Sequence, residues 1–235
     1  MNKDFINYCI NGYFTPKLFN GNEIKLITNF AVNWFYSLCK INFDDRKKFP
    51  IEEYHNWYKL LDINHSSLCS AKNRYLYPPR EIQKIIKQNK KIKLLMNNLE
   101  IKKYKMWDDG WGWLGFRLVR PGCDDGYPLS KKNWGIAKGV ISVWMPIIGR
   151  DSSCTLTLVP GSHLKEFNSY LPKNSKFTKG ELRLSNKYKN IIKIKNPNLN
   201  NNETIVYSSN TLHSEKNTKI KKTRFNLEFR YLPII

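Results

Sequence analysis

The sequence predicts an α+β fold in which N-terminal helices buttress one face of a jelly roll. Three observations carry that reading. Residues 22–39 set Ile24, Ile27, Ala31, Trp34, Phe35 and Leu38 at three- and four-residue spacings, the apolar stripe of an amphipathic helix. After residue 105 the texture changes to short apolar runs broken by Gly, Pro, Asp and Asn, as in a multi-stranded β-structure. From Thr223 to Tyr231, Phe225, Leu227, Phe229 and Tyr231 alternate with Arg224, Asn226, Glu228 and Arg230, so a strand there has one apolar and one polar face. Helices followed by a run of strands form such a layered domain, and a jelly-roll interior can hold a small ligand.

Taken in order, Gly12-Tyr13-Phe14 reads as a short extended segment ahead of the first helix. Residues 41–78 are irregular and rich in aromatics (Phe49, Tyr54, Trp57, Tyr58), and Pro78-Pro79 then punctuates the chain. A second helix is expected over 80–97, where Ile82, Ile85, Ile86, Leu94 and Leu95 form a partial stripe among Lys and Gln, with its basic face in water. Strands are expected at 113–119, 139–147, 155–159, 191–195, 203–207 and 223–232. Neither a repeat nor a linker interrupts the chain, and Asn196 to Asn202 is an Asn-rich turn. A single domain over 1–235 is therefore expected, with a helical part at 1–104 and a jelly-roll core at 105–235.

A content of 41% hydrophobic residues argues against disorder, because that much apolar surface can offset the entropy of ordering the chain. No stretch is long and apolar enough to span a bilayer, and the N-terminus lacks the apolar core of a signal peptide, so a cytoplasmic location is the expectation. Five scattered cysteines (Cys9, Cys39, Cys69, Cys123, Cys154) with no C-x-x-C pair indicate reduced thiols. Forty Lys+Arg against nineteen Asp+Glu leave a net charge of +21, which attracts polyanions such as nucleic acid. The excess is spread along the chain and no zinc-finger, helix-turn-helix or RNP-like pattern accompanies it, so it reads first as a solvated surface with no specific nucleic-acid partner. It is compatible with a small anionic substrate.

The chemistry centres on the C-terminal part. His213 follows the strand expected at 203–207 and the turn Ser208-Ser209-Asn210, and Arg224 comes eleven residues later. Neutral His is the commonest metal ligand, and Arg matches a carboxylate bidentately.

In this tail the sequence resembles the phytanoyl-CoA dioxygenase family of iron(II) and 2-oxoglutarate oxygenases, whose core is a double-stranded β-helix of the jelly-roll, cupin-like type. In that family a distal His binds iron and an Arg about eleven positions on binds the distal carboxylate of 2-oxoglutarate; His213 and Arg224 match in type, order and spacing. Val140-Ile-Ser-Val-Trp-Met-Pro-Ile-Ile-Gly149 and Leu158-Val-Pro-Gly-Ser-His163 resemble the family's Trp-x-Pro strand and its Pro-Gly-Ser-His turn, where the His is structural. Gly12-Tyr13-Phe14 with its following helix extends the likeness over nearly the whole chain. The resemblance implies iron(II) and 2-oxoglutarate as cofactors and hydroxylation of a small-molecule substrate.

One motif departs. The family carries a His-x-Asp pair shortly before the Trp144 strand, whereas this sequence reads Pro128-Leu129-Ser130-Lys131-Lys132, which puts Ser130 and Lys132 at the two ligand positions. A charged Lys has no lone pair to offer a cation. Upstream, Cys123-Asp124-Asp125 contains competent ligands, and Asp125 could join His213 at a metal; Asp124-Asp125-Gly126-Tyr127-Pro128 is equally an ordinary turn. Trp107 to Trp113 is dense in Trp and Gly, and indoles stack on ligands at a pocket mouth or pack in a core. Arg117 and Arg120 point to opposite faces of their strand. Arg117, Trp113 and Tyr127 are thus the candidates for a substrate pocket. Three functions follow: a 2-oxoglutarate-coupled oxygenase, a metal-free ligand-binding pseudoenzyme on the same fold, and a non-specific nucleic-acid binder.

Overall fold

A computed structural model describes residues 3–69, 77–107, 113–123, 125, 139–149, 156–167, 169–170, 183–188, 190–200, 202–214 and 221–234. Its helices are α1 (Lys3–Asn11), α2 (Gly21–Leu38), α3 (Tyr54–Trp57), α4 (His65–Leu68), α5 (Arg80–Gln88) and α6 (Lys90–Asn98). The strands are β1 (Tyr13–Phe14), β2 (Tyr104–Met106), β3 (Leu114–Val119), β4 (Ile141–Ile148), β5 (Thr157–Leu158), β6 (Ser169–Tyr170), β7 (Arg183–Leu184), β8 (Ile205–Ser208), β9 (His213–Ser214) and β10 (Arg224–Pro233). No helix among the described residues is long and apolar enough to cross a membrane.

The main sheet runs β1-β8-β4-β10, and the far edge of β10 is shared by β3 along Arg224–Phe229 and by β2 along Tyr231–Pro233. A small second sheet pairs β5 with β9, and β6 pairs with β7; every strand pairing described is antiparallel. The register between β10 and β4 slips between Phe225 and Asn226, where Pro146 of β4 faces Asn226. A proline cannot donate to the ladder, and a bulge is where a central strand tolerates one.

One face of the main sheet is covered by helices. Phe225, Leu227, Phe229 and Tyr231 of β10, Ile141, Val143 and Met145 of β4 and Leu114, Phe116 and Leu118 of β3 pack there with Ile24, Ile27, Ala31 and Phe35 of α2. The ring centroids of Phe35 and Phe225 lie 5.6 Å apart. Each such side chain, fully buried, contributes about 1.5–3 kcal/mol. Helix α2 starts where Asn20 and Glu23 cap each other, Asn20 Oδ1 accepting from the Glu23 amide and Glu23 Oε2 from the Asn20 amide.

The helix expected over 80–97 is two helices. Asn89 is extended (φ −70°, ψ 110°) and its side chain caps α6, accepting from the amides of Lys91 and Ile92. Asn89 Nδ2 donates to Leu18 O at 3.1 Å, so a buried contact rewards the break. The strand expected at 191–195 reduces to one bridge, Leu158 to Lys195, and α1, α3, α4, β2, β6, β7 and β9 are additions to the expected elements.

Candidate functional site

The second face of β10 points at the small sheet. Thr223 anchors the start of the strand in the helical layer: its amide donates to Glu52 O at 2.7 Å, and its hydroxyl lies 3.0 Å from His55 Nδ1. Alternation then turns Arg224, Asn226, Glu228 and Arg230 to the inner side. All four are buried, with exposures of 0, 0, 5 and 7%. They share the inner space with a cluster formed by Tyr13, Trp144, Ile205 and Tyr207 of the main sheet and Leu156 and Leu158 on the small-sheet side.

His213 sits directly opposite Leu158 in the β5–β9 pair and therefore faces the same space. Its ring lies 4.9 Å from that of Tyr207, while the Arg224 guanidinium rests 5.6 Å over the ring of Trp144. The approach to His213 is pinned by the Pro160-Gly161-Ser162-His163 turn: Ser162 Oγ donates to Val159 O at 2.6 Å and accepts from the Leu212 amide at 2.8 Å. His163 Nε2–H donates to Cys9 O and ties that turn to α1. Gly12 (φ 78°) passes so close that a Cβ there would lie 2.4 Å from Thr211 Oγ1, so only glycine fits.

The protonation of His213 follows from its partner. Thr211 O accepts at 2.7 Å, so Nδ1 carries a hydrogen and Nε2 is the nitrogen that a metal-ligating imidazole would use. Glu228 is held by several donors: Arg230 Nη2 and Nε at 2.9 and 3.1 Å and the Tyr207 hydroxyl at 3.3 Å reach Oε1, and Arg117 Nε reaches Oε2 at 3.4 Å. Both amide atoms of Asn226, Ser142 Oγ and Trp144 Nε1 are buried with no hydrogen-bond partner among the described residues. Each such group costs about 1–3 kcal/mol unless something meets it. A polar ligand between the sheets would do so.

Asp125 lies elsewhere, on the helix side. Arg120 grips it with Nε at 2.6 Å and Nη2 at 2.8 Å, and His65 Nε2 approaches at 3.3 Å. Tyr54 OH meets the other nitrogen of His65 at 3.1 Å, and the Arg120 guanidinium covers the Tyr58 ring. Burial alone would raise the Asp125 carboxyl, but the hydrogen bonds from Arg120 and His65 outweigh it and hold the group well below the usual carboxylate range. A depressed carboxyl stabilises the fold above its unfolded value near 4 and loses that contribution as pH falls toward the folded value. The melting temperature is thus expected to fall steeply below about pH 4, and Asp125→Asn to flatten that part of the profile. An unchanged acid limb in the variant would show that this clamp carries no pH dependence.

Of the other candidates, Arg117 lies on the inner face beside Glu228, and Trp113 packs in the helix-side core with Lys87 over its ring. Tyr127, Ser130 and Lys132 lie outside the described residues. Sequence reasoning missed Asn226, Glu228, Arg230, Tyr207 and Ser142 as site residues. The signal was present in the polar alternation of β10, but not the fact that a second layer covers it. The inner face fits a carboxylate ligand, with a buried guanidinium and unmet donors. Toward iron(II), His213 is the donor described on this face, and no group of three His, Cys, Asp or Glu that could hold a metal occurs among the described residues, which do not include Ser130 and Lys132.

No family model and no curated protein matches the sequence. Solved structures do match the fold. AviO1 from Streptomyces viridochromogenes Tue57 is 9% identical, with a TM-score of 0.58 over 97% of this chain and 92% of that one. The epimerase SnoN, in complex with Fe3+, alpha ketoglutarate and nogalamycin RO, is 13% identical, with a TM-score of 0.52 over 98% and 82%. EctD from S. alaskensis, with 2-oxoglutarate and 5-hydroxyectoine, is 12% identical, with a TM-score of 0.51 over 98% and 75%. The chain thus has the fold of enzymes that include non-heme, 2-oxoglutarate-dependent ones.

Proposed function

We propose that this chain is a phytanoyl-CoA dioxygenase-like oxygenase of the 2-oxoglutarate superfamily, with a double-stranded β-helix core, that binds 2-oxoglutarate through Arg224 and acts on a small, anionic metabolite. The buried polar face of β10 carries the reading: Arg224 is fully buried over Trp144, two residues along the strand from the unmet amide atoms of Asn226. A planar fork of donors matches a carboxylate bidentately, and exclusion of water strengthens the pair. Stacking on the indole limits the orientations the guanidinium can take. His213 adds an imidazole whose Nδ1 is held by Thr211 O, facing the same space. By family resemblance the reaction class is 2-oxoglutarate-coupled hydroxylation.

Ser130 and Lys132 favour a second reading, in which the pocket is kept and the metal is not. The protein is then a carboxylate-binding pseudoenzyme, and a lysine ammonium suits an anionic ligand. A thermal-shift series separates the two. Ligand at 100 times its Kd stabilises by about 2.7 kcal/mol, or roughly 5–10 °C for a chain of this size. We expect such a rise with 2-oxoglutarate and its loss in Arg224→Met, each variant being compared with its own ligand-free melting temperature. A further rise and succinate release on adding ferrous iron would support the oxygenase; a rise indifferent to iron supports the pseudoenzyme. No response to 2-oxoglutarate in the unmodified protein would sink both.

A further inference from the structure

We infer that the outward faces of α5 and α6 form a surface for the phosphate backbone of duplex nucleic acid, bound without preference for sequence. The two helices lie on the helical side of the main sheet, whereas Arg224 and His213 face its inner side, so the inference stands apart from the preceding reading. Residues 80–105 hold nine Lys and Arg against two Glu, a net charge of +7 and thus a third of the chain's +21. So large a share on 26 of 235 residues is a concentration of charge, not an even solvated coat.

Helical periodicity sorts these cations onto one side. On α5, Arg80, Lys84 and Lys87 follow at spacings of four and three, and all are exposed, while Ile82 and Ile86 are buried on the opposite side. On α6, Lys90, Lys91 and Lys93 are exposed while Ile92, Leu95 and Met96 are buried. Both helices bury their apolar sides in one core, so both basic sides look outward. An open groove of about 350 Å³ on α5 is lined by Arg80, Gln83, Lys84, Lys87 and Gln88. Lys87 is held 5.5 Å over the Trp113 ring, and Lys91 Nζ donates to Lys17 O at 3.2 Å. None of the nine cations pairs with a carboxylate among the described residues, so their charge is available to a partner.

The chemistry of this surface selects that partner. A helix that lies on a membrane inserts its apolar side, but here those side chains are committed to the core and Leu94 is the large hydrophobic that the two helices leave exposed. Single strands are held by bases stacking on exposed aromatic rings, and neither helix contains an aromatic residue. What remains is cationic groups with the side-chain amides of Gln83, Gln88 and Asn97. Such donors meet phosphate and sugar oxygens and position a duplex without reading its bases.

The experiment titrates the full chain into a labelled DNA duplex of mixed sequence and follows fluorescence anisotropy as salt is raised from about 50 to about 200 mM. The logarithm of affinity is expected to fall against the logarithm of salt with a slope of about −4 to −5, as for about five phosphate contacts. The triple variant Arg80→Gln/Lys84→Gln/Lys87→Gln should flatten that slope by about 3 and weaken binding about tenfold or more, with its melting temperature unchanged. Lys40→Gln/Lys47→Gln/Lys59→Gln removes the same charge from exposed positions outside α5 and α6, and should change the slope by less than about 1. Equal loss in the two triple variants would overturn the inference, because net charge alone would then carry the binding. So would the absence of duplex binding at about 50 mM salt, or tighter binding of a single strand of the same length. Loss of binding to phosphatidylserine vesicles but not to duplex in the first triple variant would move the surface to a membrane and overturn it as well. Arg224→Met should bind duplex as the unmodified protein does, whatever its response to 2-oxoglutarate.

Discussion

Glu228→Gln is expected to lower the melting temperature by roughly 6–20 °C. Three side chains, Arg230, Tyr207 and Arg117, converge on this one carboxylate between the sheets. Glutamine keeps the shape but removes the negative charge, so the buried Arg230 guanidinium loses its counter-ion. Removing one member of a buried pair costs about 3–5 kcal/mol, chiefly because the remaining charge stays desolvated. For a domain of this size each kcal/mol is worth about 2–4 °C. The double variant Glu228→Gln/Arg230→Met should recover part of the loss, since no buried guanidinium then faces a neutral amide in place of the carboxylate. A shift under about 2 °C for the single variant, measured by calorimetry, would mean that the carboxylate is not what holds these donors.

The sequence was most legible where periodicity decides burial. The stripe of α2 and the alternation of β10 are geometric consequences of helix and strand, and the structure uses both: Ile27, Ala31 and Phe35 meet Phe225 and Leu227 in one core. Periodicity fails where a single side chain outbids it, as Asn89 does by capping α6 and bonding Leu18 O in the middle of an apolar stripe. It also tells which residues share a face but not what covers that face. Asn226 and Glu228 therefore read only as members of a polar face, and their burial came with the structure, whereas Arg224 and His213 were visible only through their spacing. Asp125 shows the opposite case: as a ligand candidate it rested on residue type, and its partner Arg120 is five residues upstream, across the turn.

The largest change in metal affinity is expected on combining Ser130→His with Lys132→Asp. His213 presents an imidazole whose Nδ1–H is fixed by Thr211 O, so one ligand is prepared. One imidazole does not hold ferrous iron against water; a two-His, one-carboxylate set is the pattern that does. If the family positions carry over, the chain supplies Ser and Lys where that set needs His and Asp, and the lysine ammonium repels a dication. The unmodified protein, loaded anaerobically with ferrous iron and desalted, should retain far less than stoichiometric metal. The double variant should gain about 100-fold or more in affinity, exceeding the 10–100-fold that changes merely behind a ligand produce. Each single change should gain much less, since Ser130→His keeps the ammonium and Lys132→Asp leaves only one imidazole. Stoichiometric iron in the unmodified protein, lost in Asp125→Ala, would overturn this account. The grip of Arg120 on both Asp125 oxygens argues that Asp125→Ala will cost stability and leave metal content unchanged.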